Sequence, residues 1–205
     1  MSKNEQALEL VPLNYRWFAL NNSKLSYFEV SRCIRLIPKN EFFNKIRKYE
    51  FTFYEQDNNN TYPRGNHDEK LLFYKYLYEG DFASYKTLIN SSLYNDSIYL
   101  LFQCLSNKNY NAFKLVPENR RHEVFKYLDA GENNISSFKL VPGQFRKEVF
   151  IYLDRKNIDA FKLIPNEDKI FLFQYIEQNE RNYKALKLVP ENSRFLVFIL
   201  FNKKI

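Results

Sequence analysis

Apolar residues recur along this chain in short groups at helical spacing, and six of the seven prolines close the same apolar phrase. It reads Leu-Val-Pro or Leu-Ile-Pro and ends at Pro12, Pro38, Pro117, Pro142, Pro165 and Pro190. Steps of 23 to 26 residues separate the neighbours within each group, and the interval from Pro38 to Pro117 has room for three more steps. Pro63 fills one, and Leu88, Ile89 and Asn90, with Asn in the proline's place, fill the next. A fixed period of this kind is the signature of a repeat architecture. The pattern predicts eight units, each named here by its phase residue at 12, 38, 63, 90, 117, 142, 165 or 190.

Positions not used to find the period obey it. Eight residues before the proline stand Asn4, Asn109, Asn134, Asn157 and Asn182; five before it stand the small residues Ala7, Cys33, Ala112, Ser137, Ala160 and Ala185. Two apolar columns complete the register. One lies four before the proline, with Leu8, Ile34, Phe113, Phe138, Phe161 and Leu186; the other lies eight after it, with Leu20, Ile46, Leu71, Ile98, Phe125, Phe150, Phe173 and Phe198. Both are expected in the core.

Each unit reads as two helices. Asn is a preferred N-cap, because its side-chain oxygen accepts from a backbone N–H that the first turn leaves unpaired. A short helix A follows it, and the proline ends that helix by disfavouring helical geometry in the residue before it. Proline is tolerated at the start of the next helix, so helix B is expected over 118–129, with Val124, Phe125 and Leu128 turned inward. Helices this short are marginal alone, and stacking on neighbours must supply their burial. The expectation is an all-α protein, an α-solenoid of about eight degenerate helix pairs of about 25 residues. It forms a single array over 1–205, degenerate in 1–108 with a loop insertion at 55–66, and regular in 109–205.

Composition agrees with this. Only four glycines in 205 residues cannot supply the turns of a sandwich or the phosphate loops of a nucleotide-binding fold. Two cysteines do not make a disulfide framework, and the opening MSKNEQALEL lacks the basic and apolar regions of a secretory signal. The longest apolar run, 195–201, is far shorter than the roughly 20 residues of a membrane span. A reducing cytoplasm, that of the producing cell or of a host, is the expected compartment.

The phrase Asn-Tyr-Asn-Ala-Phe-Lys-Leu-Val-Pro ending at Pro117, with the Glu-Asn-Arg-Arg-His-Glu-Val-Phe-Lys-Tyr-Leu that follows, resembles the degenerate Leu-Val-Pro helical repeats of a family of unknown function. Such repeats occur in proteins of intracellular bacterial pathogens, some of them effectors delivered into host cells. The resemblance covers 109–205 and implies a host-directed helical repeat protein; it carries over no catalytic residues.

Catalytic and metal-binding patterns are absent from the sequence. No Walker loop, dinucleotide turn, CxxC pair or HExxH occurs. His67 and His122 are expected as polar residues on the outer part of helix B, and Cys33 and Cys104 as packing residues. No cofactor is expected and the chain is read as a non-enzyme, a cryptic carboxylate pair brought together by the fold being the third alternative.

Charge and surface apolarity point to partners. The formal charge is +7, of which +6 falls in 105–205. Two basic columns recur, Lys114, Lys139, Lys162 and Lys187 three before the proline, and Arg121, Arg146, Lys169 and Arg194 four after it. Either column could form a ladder of cations for phosphate backbones or acidic surfaces, which makes a nucleic-acid binder the second reading. The first is a protein-binding scaffold or adaptor. At five and six after the proline, polar His122, Glu123, Lys147 and Glu148 give way to Ile170, Phe171, Phe195 and Leu196, and at plus nine Lys126 gives way to Ile199. A helix apolar all round expects to be buried. The last helix is thus expected either to fold back as a swapped cap or to be covered by another chain, a protein partner or a second copy, through Ile170, Phe171, Phe195, Leu196 and Ile199.

Overall fold

A computed structural model describes residues 3–21, 25, 27–47, 67–91 and 98–202. Among these residues every regular element is helical and no strand occurs. The expected loop at 55–66, with Pro63, lies outside the described residues, as do the side chains of Ile46 and His67. The chain divides into two compact units, Met1–Asn107 and Lys108–Ile205.

The N-terminal unit contains α1 (Lys3–Glu9), α2 (Leu13–Asn21), α3 (Tyr27–Cys33), α4 (Lys39–Arg47), α5 (His67–Glu79), α6 (Phe82–Ile89) and α7 (Ile98–Cys104). Aromatic rings dominate its interior: Trp17 meets Phe42 edge-on, Phe42 stacks on Tyr78, and Tyr85 lies between Tyr76 and Phe102. The buried Tyr76 hydroxyl donates to the carbonyl of Leu101, and burial raises the pKa of both Tyr76 and Tyr85 far above the ordinary phenol value. Two expectations fail here. Asn4 is no cap; α1 already includes it, and its amide donates to Glu29 at 2.7 Å. In the Pro63 unit the register slips, so that Leu71 at the core phase is only half-buried while Phe73, Tyr74, Tyr76 and Leu77 are buried. The long helix α5 buries Phe73, Tyr74 and Tyr76 on one side, and the bulk of these rings sets which face turns inward. Gly80, at φ +62°, ends α5; a Cβ there would lie 2.8 Å from the Cys104 carbonyl oxygen.

The C-terminal unit repeats one construction four times: α8 (Tyr110–Leu115) with α9 (Arg121–Val124), α10 (Ile135–Lys139) with α11 (Arg146–Phe150), α12 (Ile158–Lys162) with α13 (Lys169–Leu172), and α14 (Tyr183–Lys187) with α15 (Glu191–Asn202). Asn109, Asn134, Asn157 and Asn182 cap helix A in each pair, their side-chain oxygens accepting from Ala112, Ser136 and Ser137, Ala160, and Lys184. Each cap supplies about 1 kcal/mol.

Helix B is not the continuous α-helix expected over 118–129. It is a 3-10 turn, Glu118–Arg120, then α9, then a second 3-10 turn, Phe125–Tyr127, and the Pro165 unit repeats this pattern. The break has a cause in the closure of each pair. Asp129, Asp154 and Glu177 donate their backbone N–H to the carbonyls of Lys108, Asn133 and Lys156, which lie before the cap of the same pair. An unbroken α-helix would carry the chain past these acceptors; α15 by contrast runs unbroken for 12 residues.

The two aromatic columns merge into one chain of rings. Phe113, Phe125, Phe138, Phe150, Phe161 and Phe173 follow one another with centroids 5.8 to 6.3 Å apart, edge-on or tilted, alternating between helix A and helix B of successive pairs. Such contacts add about 0.5–1.5 kcal/mol each beyond the area they bury. Ala112, Ser137, Ala160 and Ala185 are fully buried beside them, where a larger side chain would force the helices apart. Two members depart from their columns: Phe198, expected in the core, is exposed, and Leu186 is half-buried.

Phe150→Asp should therefore unfold the C-terminal unit, since it places a carboxylate in the ring chain at a cost of several kcal/mol. Lys139→Glu, on an exposed side chain, should shift the denaturant midpoint by less than the equivalent of about 0.5 kcal/mol. Equal losses in urea titrations of the two variants would contradict this register.

Candidate protein-binding surface

The two basic columns have different environments. Four after the proline, the guanidinium turns inward. Arg121 Nε donates to the Val116 carbonyl at 3.1 Å, one terminal nitrogen reaches the Lys114 carbonyl, and the other crosses to the next pair and donates to the Leu140 carbonyl at 2.9 Å. Arg146 repeats this set on Val141, Lys139 and, across the joint, Leu163; Arg16 repeats it on Val11, Glu9 and Leu36. Arg194 makes the two bonds within its own pair, to Val189 and Lys187. A helix that stops at a proline leaves its last carbonyls without intrahelical donors, and the five N–H groups of arginine form a fixed fork that can serve several at once. The residues read as an open ladder of cations thus act as clamps on carbonyl groups, and their charge is half-buried. Burial lowers the Arg146 pKa from its ordinary value.

Lys169 occupies the clamp position in the Pro165 unit without performing the role. The residue is buried, its ammonium donates to Asn166 Oδ1 at 2.8 Å, and burial lowers its pKa. A lysine cannot span three carbonyls, because its donors radiate from one atom.

Three before the proline, Lys114, Lys139, Lys162 and Lys187 are exposed. Lys114 and Lys187 lie over the rings of Tyr110 and Tyr183, and Lys162 pairs with Asp159 at 2.8 Å. This column retains cations on the surface, in local rather than convergent surroundings.

The five apolar candidates divide between two faces. Phe171 and Leu196, both at plus six, are exposed, and so are Tyr175 and Leu200 one turn on; Ile199 is half-buried. These positions are exposed or half-buried in the preceding pairs too, where they hold Glu123 with Tyr127 and Glu148 with Tyr152, so they belong to the outer face. Lys147 reaches across from the preceding pair to Asp168 at 2.9 Å and lies over the Phe171 ring at 5.3 Å. Ile170 and Phe195, at plus five, stand where residues of other pairs touch the following pair; Ile170 is half-buried and Phe195 exposed.

Of the remaining chemistry, His122 is not a simple surface residue. Its ring stacks on Phe145 with centroids 3.9 Å apart, a contact between neighbouring pairs that spacing alone did not signal. Cys33 and Cys104 are buried, and burial, with Glu5 and Glu29 nearby, pushes the Cys33 thiol up to about 11, so it carries no reactive thiolate near neutrality. Among the described residues no cluster of His, Cys, Asp and Glu suited to a metal ion occurs, and no helix is long and apolar enough to cross a membrane. No family model, curated protein or solved structure matches this chain.

The clamp supplies a pair of opposite expectations. Arg146→Met, which removes three charge-assisted donors from carbonyls at a joint, should lower stability by about 2–4 kcal/mol. Lys169→Arg should raise it by about 1–2 kcal/mol, by offering bonds to the carbonyls of Lys162, Ile164 and Leu188. Urea unfolding at constant slope checks both.

Proposed function

We propose that the protein is an α-solenoid of about eight degenerate helix-pair repeats that works as a non-catalytic protein-binding scaffold, in the cytoplasm of the producing cell or of a host. The observation that carries this reading is the outer apolar face of the last two pairs, where Phe171 and Tyr175, then Leu196 and Leu200, stand exposed at positions that hold glutamate and tyrosine in the earlier pairs. Exposed apolar patches rimmed by polar residues mark protein interaction surfaces, and aromatic residues carry much of the energy in such contacts. Polar groups border it: Lys147 lies over the Phe171 ring and Gln174 donates to the Phe171 carbonyl, both exposed.

Nucleic-acid binding is the second reading, supported by the exposed lysine column. It loses support from the arginine column, whose donors are engaged by backbone carbonyls. No residue is proposed to act in catalysis.

Phe171→Glu combined with Leu196→Lys should leave the helical circular dichroism and the melting profile unchanged, because both side chains are exposed, and should abolish capture of the partner from lysates of the producing cell or candidate host cells. Retained capture would overturn the assignment. Capture of nucleic acid instead, falling steeply with salt and lost on reversing the charges of Lys114, Lys139, Lys162 and Lys187, would favour the second reading.

A further inference from the structure

The joints between adjacent pairs define what a pair presents to its successor and what it presents to its predecessor. Toward the successor it presents three things. The plus-four arginine sends a terminal N–H to the carbonyl two before the next proline, as Arg16 does to Leu36, Arg121 to Leu140 and Arg146 to Leu163. The plus-eight ring packs on the minus-four ring of the next pair, Phe125 on Phe138 and Phe150 on Phe161. The plus-five side chain touches the plus-three or plus-six side chain of the next pair, as His122 meets Phe145 and Lys147 meets Asp168 and Phe171. Toward the predecessor a pair presents its minus-four ring, the carbonyl two before its proline and its plus-three or plus-six side chain. The minus-five residues Cys33, Ala112, Ser137, Ala160 and Ala185 are all buried.

Both halves of such a joint are exposed in this chain. In the Pro190 unit Phe198 is 56% exposed, whereas Leu20, Ile98, Phe125, Phe150 and Phe173 at the same phase are buried, and Phe195 is 74% exposed. Arg194 keeps its two bonds within the pair and makes no third bond across a joint. In the Pro12 unit Ala7 is exposed, alone among the small residues at its phase. Leu10, whose carbonyl stands at the clamp's acceptor position, is 86% exposed, and Tyr15 and Phe18, at plus three and plus six, are exposed as well.

We propose that these two surfaces bind each other between copies. The α15 end of one molecule docks on the α1 end of a second and follows the plan of the interior joint: Phe198 over Ala7, with Leu8 already buried beneath it in its own unit, Phe195 against Tyr15 and Phe18, and the third arm of Arg194 on the carbonyl of Leu10. The match is chemical at each point, ring to apolar surface and guanidinium to carbonyl. It is also directional, because each copy contributes a different surface, so the contact is heterologous and copies add one at a time. A single joint of two short helices is at the lower end of specific interface sizes, and the association belongs to the range of about 10 μM to 1 mM.

The 205-residue protein should show a sedimentation mass that rises with concentration over that range. Ala7→Arg and Phe198→Glu should each hold it at one copy, with unchanged circular dichroism and melting, since both positions are exposed; Leu10→Glu is a second variant for the α1 end. Mixing Ala7→Arg with Phe198→Glu should restore a 1:1 dimer and nothing larger, because one intact surface of each kind remains. Phe171→Glu with Leu196→Lys, on the outer face, should leave self-association intact, which separates this proposal from the scaffold reading. A wild-type protein that stays monomeric to about 1 mM, an Ala7→Arg variant that still self-associates, or a mixture that stays monomeric would overturn it.

Discussion

A helix of five or six residues leaves most of its carbonyl groups without a partner, and the rest of this structure depends on how that deficit is met. The proline that stops helix A does not meet it; the arginine four residues later does. Its fork returns to the carbonyls at the end of its own helix A and, with the remaining nitrogen, reaches the equivalent carbonyl of the next pair. One side chain thereby terminates one helix and fixes the register of its neighbour. The phenylalanine chain lies along the same joints, so burial and hydrogen bonding specify one arrangement.

Much of this was legible in the sequence. The proline period located every helix A of the regular pairs, the asparagines marked their caps, and the minus-four and plus-eight columns identified the rings that form the core. Each of these is a local rule, in which a residue's type reports its own backbone or burial. The arginine column was equally visible as a recurrence, but charge alone does not say which way a long side chain points. The signal that separates clamp from ladder is the preference for arginine at plus four, against lysine at minus three. A site that binds by charge alone accepts either residue, whereas a site that spans three carbonyls needs the fork.

What escaped the sequence reading depends on neighbours. Phe198 has the same identity and phase as Phe150, and nothing local distinguishes them, yet Phe198 is exposed and Phe150 is buried. The broken helix B follows from the return bonds of Asp129, Asp154 and Glu177, whose acceptors lie 21 residues earlier, beyond the reach of any local pattern. In the N-terminal unit aromatic bulk overrides the period, as the buried Tyr76 and Tyr85 illustrate.

The central claim is that the arginine clamp couples adjacent pairs rather than stabilising only its own. Native-state hydrogen exchange on Arg146→Met tests it most directly, because exchange resolves stability along the chain. Amides of α10 and of α12, which lie on the two sides of the Arg146 joint, should lose protection by similar factors, with a smaller change in α14. Loss confined to α10, or no loss in either helix, would contradict the account.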